Sequence, residues 1–254
     1  MLTVLLHNLI KLLHYRTVLI YLLLVEGGTL LVLLLVRYLW SQDVLTNQLS
    51  SNFIVLFLQL CFYWLLGLPW LFFIFVQGCG LISRERREGT LLLLVSKPIA
   101  RYKLIIGKWL ALVFAASILG LCSILIALGL IAYFILPDYT IIYQLSRLMP
   151  FWGLYILYLA FCLAAVAVSL SIFASSSRML NLLFLGLVLF FYVLIPIGKA
   201  DFYYFLISIP QVINCPDFSS CCNAVFPLGL LFLGAISIIF LAVAIRKFEH
   251  TDIC

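Results

Sequence analysis

Charge is what this chain has least of. Only 9% of its 254 residues are Asp, Glu, Lys or Arg, and just nine are acidic. A soluble fold of this length needs a wettable surface, so a soluble globular domain is excluded. The sequence holds no HExxH zinc motif, no paired acids, no Ser/His arrangement and no GxxxxGK[ST] phosphate loop. The nearest string to a phosphate loop, Ile106-Gly107-Lys108-Trp109, lacks the first Gly and the Ser/Thr for magnesium, and reads as a basic helix start at a membrane edge. Among the eight cysteines there is no CxxC and no Cys/His metal spacing. No internal repeat is evident, which removes support for an inverted-repeat carrier. Short alternating segments are missing too, so a membrane β-barrel is excluded. No cleavable leader is evident, and the start of the chain is expected to be mature protein.

What fills the chain instead is apolar: 67% of residues are hydrophobic and the mean hydropathy is +1.28. Several runs reach the ~20 residues that a helix needs to cross a bilayer. Helices satisfy their own backbone hydrogen bonds in lipid. The expected fold is therefore an all-α polytopic membrane protein, with residues 1–254 forming one transmembrane domain. Six spans are expected, at about 17–40, 53–82, 104–136, 150–174, 179–197 and 227–245. Pro69 is expected to kink the second. The third is long enough for its first turns to leave the bilayer. The fourth is rich in Ala, Ser and Gly, which permits close helix packing. Residues 1–16 are too polar to span. Leu2, Leu5, Leu6, Leu9 and Leu13 would share one helical face, and Thr3, His7, Asn8, Lys11 and His14 the other, as in an interfacial helix. Residues 198–226 contain the apolar run 202–209, too short to cross, and are expected to form a re-entrant or interfacial segment on the outer side.

The positive charges sit at the ends of apolar segments, a pattern of membrane topology rather than of nucleic-acid binding. Twelve of the fifteen Lys and Arg fall on one set of ends: Lys11, Arg16, seven between residues 83 and 108, Arg178, Arg246 and Lys247. The other set carries Arg37, Arg147 and Lys199. This asymmetry is expected to place both termini and the 83–108 stretch in the cytoplasm.

The stretch Ser83–Lys108 is where the sequence is most unlike its surroundings. It holds Arg84, Arg86, Arg87, Lys97, Arg101, Lys103 and Lys108, with Glu85 and Glu88. Between its charged flanks stand five apolar residues, Leu91–Val95, with Thr90 as a candidate helix cap and Pro98 as a stop. Gly89 allows a sharp turn after the second span. Five apolar residues outside the bilayer must pack on the protein's own helices, on the membrane surface or on a partner. The expected result is a short cytoplasmic helix set across the axes of spans two and three, within residues 83–103.

Glu85-Arg86-Arg87-Glu88-Gly89-Thr90-Leu91, then Leu93-Leu94-Val95-Ser96-Lys97-Pro98, then Arg101 and Gly107-Lys108, resemble the signature of type-2 ATP-binding-cassette (ABC) exporter permeases. The motif covers about a tenth of the chain; the span layout, the interfacial helix and the broken segment before the last span extend the likeness over nearly all of it. The resemblance implies that residues 83–103 form a coupling helix seated on a separate ABC ATPase subunit. Its contact residues would be Glu85, Glu88, Gly89, Thr90, Leu91, Leu94, Ser96, Pro98 and Arg101. It also implies a second permease copy or a related permease, a bacterial inner (plasma) membrane setting, and ATP and magnesium held by the partner, with no cofactor or metal in this chain and no nucleic acid. The chain departs from the signature in two places: the second acid is delayed to Glu88, and the often acidic position after Gly-Thr-Leu is Leu92.

Glu26 is the only acid deep within a span, and such a charge is a functional candidate by default. It reads as a pathway contact or as a carboxyl held between helices, and with Gly27 and Gly28 it could mark a break in the helix. Cys215, Cys221 and Cys222 lie on the expected outer side, where a bridge from Cys215 to Cys221 or Cys222 would staple the re-entrant turn; a metal site is the sharper alternative. Two rival functions stand beside the ABC reading: a self-sufficient carrier or membrane-embedded enzyme, and a permease-like subunit that acts mechanically without cargo.

Overall fold

The computed structural model describes residues 2–41, 68–87, 101–134, 149–173 and 226–250. These form six helices: α1 (Leu2–Leu12), α2 (Tyr15–Ser41), α3 (Leu68–Arg87), α4 (Arg101–Phe134), α5 (Met149–Phe173) and α6 (Phe226–His250). No strand occurs among the described residues. Among the described residues three stretches are long and apolar enough to cross a membrane: Tyr15–Leu34, Arg101–Leu130 and Ile156–Phe173. The rest of the six-span layout, including residues 42–67, the fifth span and the 198–225 segment, lies outside the described residues.

The helix boundaries follow from local chemistry. The chain breaks at Leu13–His14, where the His14 carbonyl accepts from the Thr17 and Val18 amides and so opens α2. Pro69 is the second described residue of α3; the kink expected there depends on the residues before Leu68, which lie outside the described residues. Two helices run further than the apolar runs within them. α3 continues through Ser83-Arg84-Glu85-Arg86-Arg87, and α6 continues through Arg246-Lys247-Phe248-Glu249-His250. Hydropathy marks where the apolar run stops, whereas the helix stops only when its backbone loses partners. α2 passes unbroken through Gly27 and Gly28, which removes the helix break as one of the alternatives for Glu26: backbone hydrogen bonds in lipid outweigh the poor helix propensity of Gly.

α4 and α5 form the middle of the bundle. α5 packs on α3, α4 and α6, while α4 also touches α1 and α2. The core lies along Ala111, Leu112, Ala115, Ala116 and Leu119 of α4 and Ile156, Ala160, Ala164, Ala167 and Val168 of α5. Small side chains bring these backbones close, as the composition of the fourth span predicts. Closest of all is Gly78: a Cβ built there would lie 2.6 Å from Ala167 Cβ and 2.9 Å from Leu112 Cδ2. At that level α3, α4 and α5 meet without room for a methyl group. α6 contributes one narrow stripe, Gly234, Ser237, Leu241, Ala244 and Phe248, at alternating three- and four-residue spacing. Its other face, with Ile238, Ile239, Phe240 and Val243, is exposed. α2 likewise exposes Ile20, Leu23, Leu24 and Leu31. Large apolar side chains facing outward all round are what a lipid-embedded bundle requires and a soluble one avoids. The protein is a multi-pass membrane protein.

Trp70 is fully buried and its indole N–H donates to the Ala116 carbonyl at 2.9 Å. Trp109 meets Phe161 edge-on at 4.5 Å between ring centroids. With Glu85 beside Lys108 and Gly153 beside Leu121, these contacts run α4 antiparallel to both α3 and α5.

Candidate functional site

Side-chain contacts show which helix ends lie together. Lys108 near the start of α4 reaches Glu85 near the end of α3. Arg101 donates from Nη1 to the Glu249 carbonyl, 3.2 Å away at the end of α6. Lys247 of α6 stands 4.3 Å above the Phe173 ring at the end of α5. Gly107 faces α1, where a Cβ would lie 3.2 Å from Val4 Cγ1. So α3, α5 and α6 end where α4 begins, with α1 laid against it. Arg84, Arg86, Lys103, Arg246 and Lys247 are all exposed at these ends, so the charges that set the expected topology occupy one end of the bundle.

The centre of this end is the Glu85–Lys108 pair. Lys108 is 0% exposed and the Glu85 side chain 11%. The Lys108 ammonium donates to Glu85 Oε2 and, at 2.9 Å, to the Leu81 carbonyl one turn earlier on α3. An isolated buried ammonium is costly, and a carboxylate plus a carbonyl offsets that cost. Two residues back, the Ser83 hydroxyl donates to the Cys79 carbonyl, leaving α3 polar but satisfied in its last described turns. Neighbouring Arg84 and Arg86 point away from the bundle.

This changes the reading of two residues. Lys108 is not simply a basic helix start; it is turned inward, because the face of α4 that carries it packs on α3. Glu85 also faces inward, onto Lys108, rather than outward with its arginine neighbours. Arg101 is half-buried against α6. The remaining expected contact residues, Glu88, Gly89, Thr90, Leu91, Leu94, Ser96 and Pro98, lie outside the described residues, as do Cys215, Cys221 and Cys222.

α1 brings a further correction. Asn8, expected on the polar face, is 4% exposed, and its amide donates to the Val4 carbonyl at 2.7 Å. Leu6, expected on the apolar face, is exposed. α1 packs on α4 through Val4 and Leu5 beside Gly107, and that contact, rather than the lipid interface alone, selects which face turns in.

A second polar cluster lies deeper, between α2 and α4. Thr29 Oγ1 donates to the Glu26 carbonyl at 2.7 Å and lies 3.3 Å from Glu26 Oε2. Ser123 of α4, fully buried, stands within interaction reach of both Tyr21 and Glu26. No hydrogen bond of good geometry closes on Tyr21 Oη, Glu26 Oε1 or Ser123 Oγ. Sequence reasoning found Glu26; it missed Tyr21 and Ser123, whose hydroxyls look like ordinary members of apolar runs. Among the described residues no group of His, Cys, Asp and Glu is arranged to hold a metal.

The family model described as "ABC-2 family transporter protein" matches residues 30–207, more than two thirds of the chain. No curated protein gives a match.

Proposed function

Because the chain belongs to the ABC-2 family of transporter proteins, we propose that it is the membrane-spanning subunit of an ATP-driven exporter. Residues 83–103 would seat on a separate ATPase subunit, whose ATP and magnesium power the cycle. Two permeases, either two copies of this chain or this chain and a relative, would form the pathway in a bacterial inner membrane, with both termini cytoplasmic. Glu26 and its hydroxyl neighbours would supply a polar contact along that pathway.

One observation carries this reading furthest. α3 and α4 run as continuous helices from the three-helix junction at Gly78 to the basic end of the bundle, where Glu85 and Lys108 join them. The segment 88–100, with its five apolar residues, connects these two helix ends. A load applied to that segment therefore acts on two long levers that reach the core.

Co-purification tests it. The chain, expressed with an ABC ATPase encoded beside it and extracted in mild detergent, should retain that ATPase. Replacing Leu91, Leu93 and Leu94 with Ser, or Gly89 with Leu, should strip the ATPase from the complex or leave its hydrolysis unresponsive to the permease. A lone chain that transports or catalyses without any ATPase would favour the self-sufficient carrier or enzyme. A complex that hydrolyses ATP under control of the permease yet moves nothing would favour the mechanical subunit.

A further inference from the structure

We propose that Glu85 and Lys108 act as a latch that makes the ends of α3 and α4 move as one body, so that motion of the 88–100 segment is delivered to both helices in register. Its value for transport rests on the coupling reading above; the latch itself does not require the partner. Both are positioning residues in this role.

The placement supports a latch rather than a surface ion pair. Glu85 lies two residues before the end of α3, and Lys108 lies two turns into α4. The pair thus sits just inside the points where the two helices enter segment 88–100. It is buried, so water and salt do not dissolve it as they do an exposed pair. It is also directional. The Lys108 ammonium is held by the Glu85 carboxylate and the Leu81 carbonyl together, two acceptors one turn apart on α3, which sets both the rotation and the axial register of α4. An apolar contact at the same place would hold the helices together but let them slide, because dispersion has no preferred direction. A buried ion pair is weak evidence for stability, since well-packed apolar residues often replace one without loss. What it supplies that apolar residues do not is a unique register.

Adjacent features point the same way. Gly107 lets α1 lie against the next position of α4, and Lys11 at the end of α1 is close enough to repel the Lys108 ammonium. Arg101 ties the first turn of α4 to the α6 terminus. The start of α4 is thereby held on three sides, and Glu85 is the anchor on the α3 side.

The test uses the full-length chain in lipid nanodiscs, without a partner, read by hydrogen–deuterium exchange over 81–87 and 101–108 and by thermal unfolding. Three variants are compared: K108M, the apolar pair E85L/K108M, and the charge swap E85K/K108E. K108M takes the ammonium away from Glu85 and serves as the disruptive control. The deciding variant is E85L/K108M. It should unfold within a few degrees of the wild type while both segments exchange at least about tenfold faster, since a charge-assisted hydrogen bond is worth that factor or more. The charge swap restores the ion pair but loses the donation to the Leu81 carbonyl, so its protection should lie between that of E85L/K108M and the wild type. If E85L/K108M keeps wild-type protection in both segments, or if only one segment loses it, the pair is mere packing and the latch is wrong. The same conclusion follows if the swap recovers nothing while the protein remains folded. A parallel pull-down with the ATPase distinguishes the two levels: failure to bind the ATPase removes the coupling reading, whereas the exchange result alone decides the latch.

Discussion

Replacing Gly78 with Ala tests the packing on which the bundle depends. The new Cβ would stand 2.6 Å from Ala167 Cβ, 2.9 Å from Leu112 Cδ2 and 3.6 Å from the Ala167 carbonyl carbon. Carbon atoms pack at about 3.5–4.0 Å. Leu112 relieves its contact by turning its side chain. Ala167 has no such freedom, so α3 and α5 must part by about 1 Å at their closest point. Overpacking of this kind costs about 1–3 kcal/mol. The better helix propensity of Ala returns about 0.5–1 kcal/mol, so the middle of these ranges leaves a net loss of roughly 1 kcal/mol. For a chain of this size that corresponds to a fall in Tm of about 2–4 °C, read from tryptophan fluorescence during heating in detergent.

The double-mutant cycle is the sharper measurement. Ala167→Gly alone should cost about 1 kcal/mol through helix propensity. Combined with Gly78→Ala, it removes the clashing atom, and the remaining 3.6 Å contact is an ordinary one. The two changes together should be more stable than their summed losses by at least about 1 kcal/mol. If Gly78→Ala leaves Tm unchanged, or if the two losses simply add, the three helices do not meet at Gly78 as described.

Two further outcomes are expected. Gly107→Leu should lift α1 from α4, because even a Cβ at that position lies 3.2 Å from Val4 Cγ1; trypsin should then cut after Lys11 several-fold faster, with the remaining fragments unchanged in Tm. A lipid-soluble carbodiimide should form a single adduct on the peptide carrying Glu26, a half-buried carboxyl between apolar helices, and Glu26→Gln should abolish it. Labelling of the Glu85 peptide instead would mean that the Lys108 pair is open and the Glu26 cluster inaccessible.

Much of the protein was legible in the sequence because lipid makes local rules strict. A backbone in hydrocarbon must be helical, so apolar length alone located α2, α4, α5 and the membrane part of α6 to within a few residues. α3 and α6 continue beyond the expected apolar runs, because hydropathy reports where lipid stops, not where the helix stops. The family was legible because its motif, Glu85 to Pro98 with Arg101 and Gly107-Lys108, stands out as a polar island in an apolar chain.

What the sequence determined by itself, then, is the class of protein, the helical segments and which of their ends carry positive charge, since these follow from composition counted along the chain. Only the tertiary structure decided which face of each helix turns inward. α5 is apolar all round, so no amphipathic pattern marks its packing face; Ala167 is singled out only by Gly78 across from it. Glu85 sits between two arginines, and nothing in that triplet says that the acid turns in while the arginines turn out. That choice belongs to Lys108, twenty-three positions later. A buried charge must find its opposite, and only folding brings the two together.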